Sequence, residues 1–432
     1  MKLPEHLKIF IFGSAVTITG NVVVGLVNYL VRRTLALNLS SSDYGSFYGT
    51  FALISILLAV FDFGLTDAGS VLVAEEKSRR SESFSAVFRL KGLAGLACGL
   101  GIFLGRDWIS ERYLAGHGSW MLMIFAVYVI FQSLDGALMA YYNGSKQFRL
   151  QNIFNTFKAL TLLLSAWCFA GIWAAAGAAL AYAVTAALFI PLQLWWISRR
   201  DKLSFHWQLE EGIRKRLQSV IAVVAGITFM QTVLFNLDSV MLTALKGTEV
   251  TAIYNVALPI TQLLLAVLVF ATVFLPLAVE MVNQKDFHRL CRYVWWAIGI
   301  TLSAIPVVFI TMHLAGEWLI TLLFKSTYAG SAAPVLPYLT TGYLLFALGA
   351  FVSRILVAMR AVKFLAALAF LIIGTDFLLN YVMISRYGLI GAALATAISY
   401  LIFAVSMLIA FFRLVKSRET DGGKLPECIG ED

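Results

Sequence analysis

The stretch Ser198–Arg216, SRRDKLSFHWQLEEGIRKR, is a long polar segment that divides the chain near its middle. On each side of it, hydropathy separates six apolar stretches, each close to the roughly 20 residues that a helix needs to cross a bilayer. Backbone polar groups in lipid must be satisfied within the segment, so we expect helices here rather than open strands. The sequence therefore predicts an all-α polytopic membrane protein with twelve transmembrane helices in two six-helix bundles.

The predicted spans are Ile9–Val31, Phe47–Val73, Ala86–Leu104, Trp120–Tyr141, Ile153–Ala170, Ile172–Ile197, Leu217–Leu245, Ala252–Val282, Tyr293–His313, Val335–Met359, Leu365–Ile384 and Leu389–Leu414. We expect residues 1–197 to form the N-terminal bundle and residues 217–415 to form the C-terminal bundle. Residues 198–216 are then a cytoplasmic linker, and residues 416–432 are a cytoplasmic tail.

The composition excludes several classes of function. Only 13% of the residues are charged and 60% are hydrophobic, whereas soluble domains contain about 25% charged residues. The net charge of +9 fits basic cytoplasmic loops better than a nucleic-acid partner, since no basic domain stands outside the spans. The four cysteines and five histidines lack metal-ligand or redox spacing. We therefore predict no metal site and no cofactor.

The distribution of Lys and Arg predicts the orientation of the chain. With the N-terminus inside, 26 of the 33 basic residues fall on the inner side of the membrane and 7 fall on the outer side. Cytoplasmic loops of membrane proteins carry such an excess. We therefore expect a multi-pass membrane protein with both termini in the cytoplasm.

The two halves resemble each other in sequence. Asp43–Tyr48, followed by LLAV at 57–60, recurs as Glu249–Tyr254, followed by LLAV at 264–267. Both halves contain six spans and begin on the same side, as repeats related by an axis along the membrane normal do. A site between the halves is the expectation that follows.

Polar residues inside the spans are the candidates for function, because an ionisable residue at mid-helix costs roughly 2.5–3.5 kcal/mol on insertion scales. Polar stripes on spans one, two, seven and eight predict a hydrophilic cavity between the halves. The candidate cavity residues are Asn28, Arg32, Arg33, Asp62, Lys158, Gln231, Asn236, Asp238, Tyr254 and Arg354. The candidate ion-coupling residues are Asp67 and Asp376.

Two other interpretations of these polar groups stay open. They could form hydrogen bonds between helices within each bundle, without any cavity. The carboxylates could also be neutralised by basic residues of the spans instead of binding protons or cations. The sequence does not choose between these interpretations.

Short motifs in both halves resemble the multidrug/oligosaccharidyl-lipid/polysaccharide (MOP) exporter superfamily, and in particular its Wzx-type polysaccharide (O-antigen) flippases. The motifs are Leu37-Asn38 through Asp43-Tyr44-Gly45, Leu58–Leu65 (LAVFDFGL), Ala74-Glu75, Asp238–Leu242 (DSVML) and Ala252–Asn255 (AIYN). The resemblance implies a MATE-like fold that covers nearly the whole chain.

The resemblance also implies a function. It points to a non-enzymatic flippase of the inner (plasma) membrane that moves an undecaprenyl-diphosphate-linked oligosaccharide from the cytoplasmic to the outer leaflet by alternating access, for surface polysaccharide biosynthesis. The expected partners are this lipid-linked substrate, membrane lipids and other membrane proteins of polysaccharide assembly, with no nucleic acid. Arg32, Arg33, Lys158 and Arg354 would be the charge partners of the diphosphate.

Two rival functions remain at this stage. A cation- or proton-coupled multidrug exporter of the same fold would use acidic residues such as Asp62 and Asp238. A membrane polymerase or ligase for lipid-linked sugars is the second rival, although the sequence lacks the large outer loop that such an enzyme usually carries.

Overall fold

The computed structural model describes residues 5–75, 79–116, 118–203, 205, 211–262, 268–359 and 361–420, which are helical throughout apart from short connections. The helices are α1 (Glu5–Asn38), α2 (Ser41–Asp62), α3 (Leu65–Glu75), α4 (Arg80–Tyr113), α5 (Ser119–Gly144), α6 (Phe148–Asp201), α7 (Glu211–Lys246), α8 (Thr248–Gln262), α9 (Leu268–Asn283), α10 (Phe287–Leu323), α11 (Ala329–Ala332), α12 (Leu336–Ala358) and α13 (Val362–Thr420). Single 3-10 turns at Ser326–Tyr328 and Ala333–Val335 flank α11.

Seven helical stretches of the described residues are long and apolar enough to cross a membrane. Two of them are far too long for one crossing: the 54 residues of α6 would extend about 81 Å if straight, against a hydrocarbon core of about 30 Å. The backbone leaves helical geometry at Trp173 and Ala174 in α6 and at Gly388, with φ 57°, in α13. Each long helix is therefore a hairpin of two spans, and the predicted all-α fold is confirmed.

The second predicted span is broken into two helices. Phe63 (φ 33°) and Gly64 (φ 82°) both adopt left-handed backbone conformations between α2 and α3. The amide of Phe63 donates to the carbonyl oxygen of Ala59 at 2.9 Å and closes the end of α2. The break redirects the chain at Asp62, so this carboxylate lies at a helix end instead of at mid-helix.

The two halves are in close contact where α2 packs against α7 and α8. This contact lies at the end of the molecule that the charge pattern predicts to be outer. A Cβ atom on Gly45 would overlap the carbonyl oxygen of Thr248, and one on Gly49 would overlap the side chain of Thr243. The hydroxyl oxygens of Ser42 and Thr248 are 3.2 Å apart. Glycine is required here because the backbones themselves are in contact.

Two cations also link the halves at the predicted outer end. Arg33 Nε donates to the carbonyl oxygen of Leu323 at 2.9 Å, and Lys325 Nζ donates to the carbonyl oxygen of Leu39 at 3.0 Å. Each cation therefore satisfies a carbonyl at the C-terminal end of the other half's helix, where the helix dipole favours positive charge. We call these two contacts, with the packing at Gly45, the outer closure.

The N-terminal end of α7, which the charge pattern predicts to be inner, packs against the N-terminal half. Ile213 and Leu217 are buried in the same apolar cluster as Leu72 of α3. Arg216 Nη2 lies 3.0 Å from a carboxylate oxygen of Glu75. Since residues farther along α7 pack in the other core cluster, α7 contributes to both halves, and it extends across the bundle boundary expected at residue 217.

Substitution of Gly45 by Ala should open the outer closure, because the added methyl group cannot fit against the Thr248 carbonyl. The measurement is disulfide formation between Ser42→Cys and Thr248→Cys, in a chain whose four native cysteines are replaced by Ser. The hydroxyl positions are close enough for a disulfide in the closed form, and we expect Gly45→Ala to slow cross-linking severalfold.

Gly25→Ala is the matched control, because no atom lies within 4 Å of its added Cβ. Equal cross-linking rates in the Gly45→Ala and Gly25→Ala backgrounds would show that the contact at Gly45 does not hold the halves together.

Candidate substrate cavity between the two halves

A cavity of about 220 Å³ lies between α1 and α2 of the N-terminal half and α7 and α8 of the C-terminal half. Arg32, Tyr48 and Ser55 line it on the first side. Asn236 and Asn255 line it on the second side. These four helices carry the first, second, seventh and eighth predicted spans, so the cavity lies where the sequence repeat led us to expect a site.

The repeat also explains the depth of the cavity. Tyr48 comes seven residues after Ser41, which begins α2, and Asn255 comes seven residues after Thr248, which begins α8. At 1.5 Å per residue, both side chains lie about 10 Å inside the outer ends of their helices. The outer closure lies between them and the predicted outer surface.

Arg32 gives the cavity its charge. The guanidinium carbon lies 4.9 Å from the centre of the Tyr48 ring, at cation–π distance. Its Nη1 atom is buried and has no hydrogen-bond partner among the described residues. No carboxylate is found among the cavity-lining residues that the structure describes. The guanidinium therefore keeps one hydrogen-bond donor that no described residue engages.

Four other predicted cavity or coupling residues lie outside the lining of this cavity. Asn28 is exposed one turn before Arg32 on α1, and Gln231 is half-buried on α7 before Asn236. Arg354 is half-buried on α12, and Asp67 is half-buried in the first turn of α3. A fifth, Arg33, belongs to the outer closure, since its Nε donates to the Leu323 carbonyl.

Asp62 forms an ion pair with Lys91, which was not among the candidate residues from the sequence. Its carboxylate contacts Nζ of Lys91 on α4, and both groups share the hydroxyl of Thr66, which donates to Asp62 at 3.0 Å. Lys91 Nζ lies 2.8 Å from the same hydroxyl oxygen. The side chain of Lys91 is only 4% exposed and that of Asp62 is 22% exposed. This charge is therefore neutralised within the N-terminal half.

Lys158 is neutralised in a similar way. Its Nζ atom lies 2.8 and 2.9 Å from the two carboxylate oxygens of Asp135 on α5. Gln193 Nε2, on the second part of α6, also donates to Asp135 at 3.3 Å. Asp135 thus joins three helical segments of one half, and Lys158, which neutralises it, does not line the cavity.

Asp238 and Tyr254 belong to a buried polar cluster in the C-terminal half. The Tyr254 hydroxyl donates to Asp238 Oδ2 at 2.5 Å, and the Thr396 hydroxyl donates to the same oxygen at 2.7 Å. Asn380 Nδ2 donates to Asp238 Oδ1 at 2.8 Å and to Asp376 Oδ1 at 3.3 Å. We call these five residues the acidic cluster.

The acidic cluster joins two carboxylates without a described lysine or arginine in an ion pair with either one. Both carboxylates are buried, with 4% of Asp238 and 1% of Asp376 exposed. Two neighbouring carboxylates in an apolar environment cannot both stay charged without compensation. The arrangement can therefore hold a proton or a monovalent cation.

Several residues of the cavity and of the ion pairs were not among the candidates from the sequence, including Lys91 and the cavity-lining Asn255 and Gln262. Lys91 lies near the predicted inner end of the third span, where the sequence predicts a basic residue that is exposed to solvent. Asn255 and Gln262 stand on the polar face of the eighth span, so helical spacing would have found them. The partners of Lys91 could not be found in this way, since Asp62 is 29 residues away.

Substitution of Lys91 by Met should destabilise the protein by about 3 kcal/mol, because it leaves the Asp62 carboxylate in an apolar environment without its partner. The measurement is the free energy of unfolding of the purified protein in detergent. The double variant Asp62→Asn/Lys91→Met should recover most of this loss, since it removes both charges.

Lys202→Met is the matched control, since Lys202 is exposed at the C-terminal end of α6. A Lys91→Met protein as stable as the Lys202→Met protein would mean that the buried ion pair contributes little to the fold.

Known proteins share sequence and fold features with this chain. Residues 11–282 match the family model described as "Polysaccharide biosynthesis protein". The chain is 23% identical over 408 residues to the uncharacterized membrane protein MJ1068 of Methanocaldococcus jannaschii, covering 87% of this chain and 78% of that protein.

Solved structures show the same fold at low sequence identity. An inward-facing multidrug resistance MATE family transporter of the MOP superfamily superposes with a TM-score of 0.73 at 14% identity, over 92% of this chain and 96% of that one. The lipid II flippase MurJ in an inward closed conformation superposes with a TM-score of 0.68 at 15% identity, over 95% of this chain and 91% of that one. Because the family model matches more than half of the chain, the chain belongs to the polysaccharide biosynthesis protein family and has the MOP exporter fold.

Proposed function

We propose that the protein is a flippase that moves an undecaprenyl-diphosphate-linked oligosaccharide from the cytoplasmic to the outer leaflet of the inner membrane. The observation that carries this proposal is the cavity between the halves, which contains Arg32 with a free donor and no described carboxylate. The family match supports a role in polysaccharide biosynthesis. The similarity to the fold of a lipid II flippase supports transport of a lipid-linked substrate.

The charge of the cavity suits the diphosphate of such a substrate. A guanidinium recognises phosphate oxygens by charge-assisted hydrogen bonds, which are about twice as strong as neutral ones. Lys158 and Lys91 are already compensated by carboxylates. Arg32 is thus the described cation best placed to compensate a diphosphate between the halves.

Alternating access would carry the glycan across. The outer closure at Gly45 and Arg33 shuts the cavity from the predicted outer end. Rocking of the halves would break these contacts and open the cavity toward the outer leaflet. The lipid tail would remain in the bilayer while the polar glycan passes between the bundles. Such a transporter needs no catalytic residue.

Ion coupling is a second part of the proposal. The acidic cluster of Asp238 and Asp376 joins α7 to α13, which carries the last two spans. Uptake of a proton or a monovalent cation there would change how these helices pack and would bias the halves toward one state. Asp67 on α3 remains a further candidate for coupling.

A cation-coupled multidrug exporter of the same fold is the alternative function. The acidic cluster favours it, because such exporters need a coupling site. The cavity disfavours it, because Arg32 would repel a cationic drug. Loss of drug resistance with normal surface glycan in a deletion strain would establish this alternative.

Replacement of Arg32 by Gln should reduce substrate translocation about tenfold or more, since it removes a charge-assisted contact of roughly 1.5–3 kcal/mol. The measurement is the accumulation of lipid-linked glycan on the cytoplasmic leaflet, in a strain that lacks the native gene and carries the variant. We expect the deletion strain to accumulate the glycan and the Arg32→Gln strain to resemble it.

Arg112→Gln is the matched control, because Arg112 is exposed at the outer end of α4. Full export by the Arg32→Gln protein would remove this residue from substrate binding. Absence of accumulated glycan in the deletion strain would contradict the flippase function as a whole.

Substitution of Asp376 by Asn should make transport independent of an ion gradient. The measurement uses purified protein in liposomes and the flipping rate of a fluorescent farnesyl-diphosphate-linked sugar, with a proton gradient, a sodium gradient or neither. One gradient should accelerate the native protein, and neither should accelerate the variant.

Asp107→Asn serves as the control, since the Asp107 side chain is 71% exposed on α4. If the gradient still accelerates flipping by the Asp376→Asn protein, the coupling ion must bind at another residue.

A further inference from the structure

The middle of α10 has an apolar face that is exposed on the described part of the chain. The buried residues of this helix lie at its two ends, and none lies between Val294 and Gly316. Ile298 and Ile305 pack partly against the core from one side of the helix. On the other side, Ile300 is 64% exposed. In a membrane protein, we expect this second side to face lipid.

A trough runs along this exposed side, and all of its lining residues lie on α10 between Trp295 and Val308. Gly299 forms part of its floor, where an added Cβ would meet no atom within 4 Å. The Ser303 hydroxyl donates to the carbonyl oxygen of Gly299 at 2.8 Å, so its proton is satisfied within the helix. The floor therefore suits an apolar chain. We call this surface the α10 trough.

The length of the α10 trough matches one leaflet of a bilayer. Trp296 and Val307 both line it, and at 1.5 Å per residue they lie about 17 Å apart along the helix. Half of the hydrocarbon core is about 15 Å thick. Tryptophan is enriched at the membrane interface, and Trp295 and Trp296 stand at the end of the trough that the charge pattern predicts to be inner. The trough thus matches an acyl chain of the predicted inner leaflet.

Exposed cations lie at this same end. Arg292 stands one turn before the tryptophans on the same helical face, and Arg289 comes one turn earlier. On α13, Arg413 follows Phe412, whose ring centre lies 5.6 Å from that of Trp295. None of these three arginines forms an ion pair with a carboxylate of the described residues. An anionic group at the end of the trough would therefore be attracted.

The immediate neighbours of these arginines leave the end positive. Arg292 Nη2 lies 3.5 Å from Nε2 of His288, which is neutral or positive and supplies no negative charge. The carboxylate of Asp286 accepts from the backbone amide of Arg289 at 3.0 Å and caps α10. Basic pockets at the cytoplasmic side of membrane helices are typical sites for anionic lipid headgroups.

A second copy of the chain fits this surface less well. An isologous contact around an axis along the membrane normal places the same patch of both copies face to face. Arg292 of one copy would then lie at the same depth as Arg292 of the other, and the equal charges would repel each other. A lipid with a negative headgroup and an apolar tail matches both parts of the surface.

We propose that the α10 trough binds an anionic phospholipid of the predicted inner leaflet. Its phosphate lies at Arg292 and Arg413, and one acyl chain lies along Gly299 and Ser303. A zwitterionic phospholipid binds more weakly, because its ammonium group is repelled by the same arginines. This site is separate from the cavity between the halves and does not depend on the proposed function.

The test uses two photoreactive lipids with the same diazirine-bearing acyl chain, one with a phosphatidylglycerol headgroup and one with a phosphatidylcholine headgroup. The full-length protein is irradiated in phosphatidylcholine liposomes, and the labelled peptides are identified by mass spectrometry. The phosphatidylglycerol probe should label residues 295–308 at least fivefold more than the phosphatidylcholine probe. Arg292→Gln should reduce labelling by the first probe about fivefold, the contribution of one cation near an anionic lipid, and leave the second unchanged.

Gly299→Leu tests the trough itself. The added side chain fills the floor without contact to the rest of the protein, so we expect a folded variant that both probes label at least fivefold less at this segment. Gly101→Leu is the matched control, because Gly101 is also an exposed helical glycine with no atom within 4 Å of its added Cβ. Equal labelling of the native protein by the two probes would overturn the proposal, and so would equal labelling of the two leucine variants.

Other occupants give distinct results. A disulfide-linked dimer of Ser303→Cys, in a chain whose native cysteines are replaced by Ser, would assign the trough to a second copy. Loss of labelling with excess farnesyl diphosphate, but not with excess phosphatidylglycerol, would assign it to a polyprenyl diphosphate. Either result would overturn the proposal. A monomeric Ser303→Cys protein and competition by phosphatidylglycerol alone are the results that we expect.

Discussion

A charged side chain within a bilayer must be compensated, and this constraint organises the whole molecule. In the N-terminal half, Asp62 pairs with Lys91 and Asp135 pairs with Lys158. At the outer closure, Arg33 and Lys325 are compensated by helix-terminal carbonyls. Arg32 differs from these groups, because it keeps a free donor beside a cavity. These supporting contacts are thus compensated, whereas Arg32 beside the cavity and the two carboxylates of the acidic cluster have no described charge partner.

The two halves share a topology but differ in charge. The N-terminal half contains acids that are matched by lysines, whereas the acidic cluster of the C-terminal half contains Asp238 and Asp376 without a described basic partner. The matched pairs can only stiffen their half. The unmatched cluster can take up a cation, and it lies on helices that pack against the cavity wall. In the proposed function, the cation that would meet the substrate and the carboxylates that would take up a coupling ion therefore lie at separate places.

Much of this architecture could be predicted from the sequence, because lipid restricts the fold to helices of known length. Because polar residues are costly inside membrane helices, the sequence also identified Arg32 and Asn236 as candidates. Both residues line the cavity. Contacts between distant helices could not be predicted. Asp238 follows the polar face of its span, yet its partners Asn380 and Thr396 lie 142 and 158 residues away. The break at residues 63–64 was also missed, since hydropathy gives one continuous span from Phe47 to Val73.

The central claim is that Arg32 meets the diphosphate of a lipid-linked sugar in a wet cavity between the halves. A cryo-EM map of the full-length protein in nanodiscs with farnesyl-diphospho-N-acetylglucosamine tests it most directly. The account predicts phosphate density within hydrogen-bond distance of the Arg32 guanidinium. Density for the headgroup at another place, with Arg32 enclosed in dry packing, would contradict it.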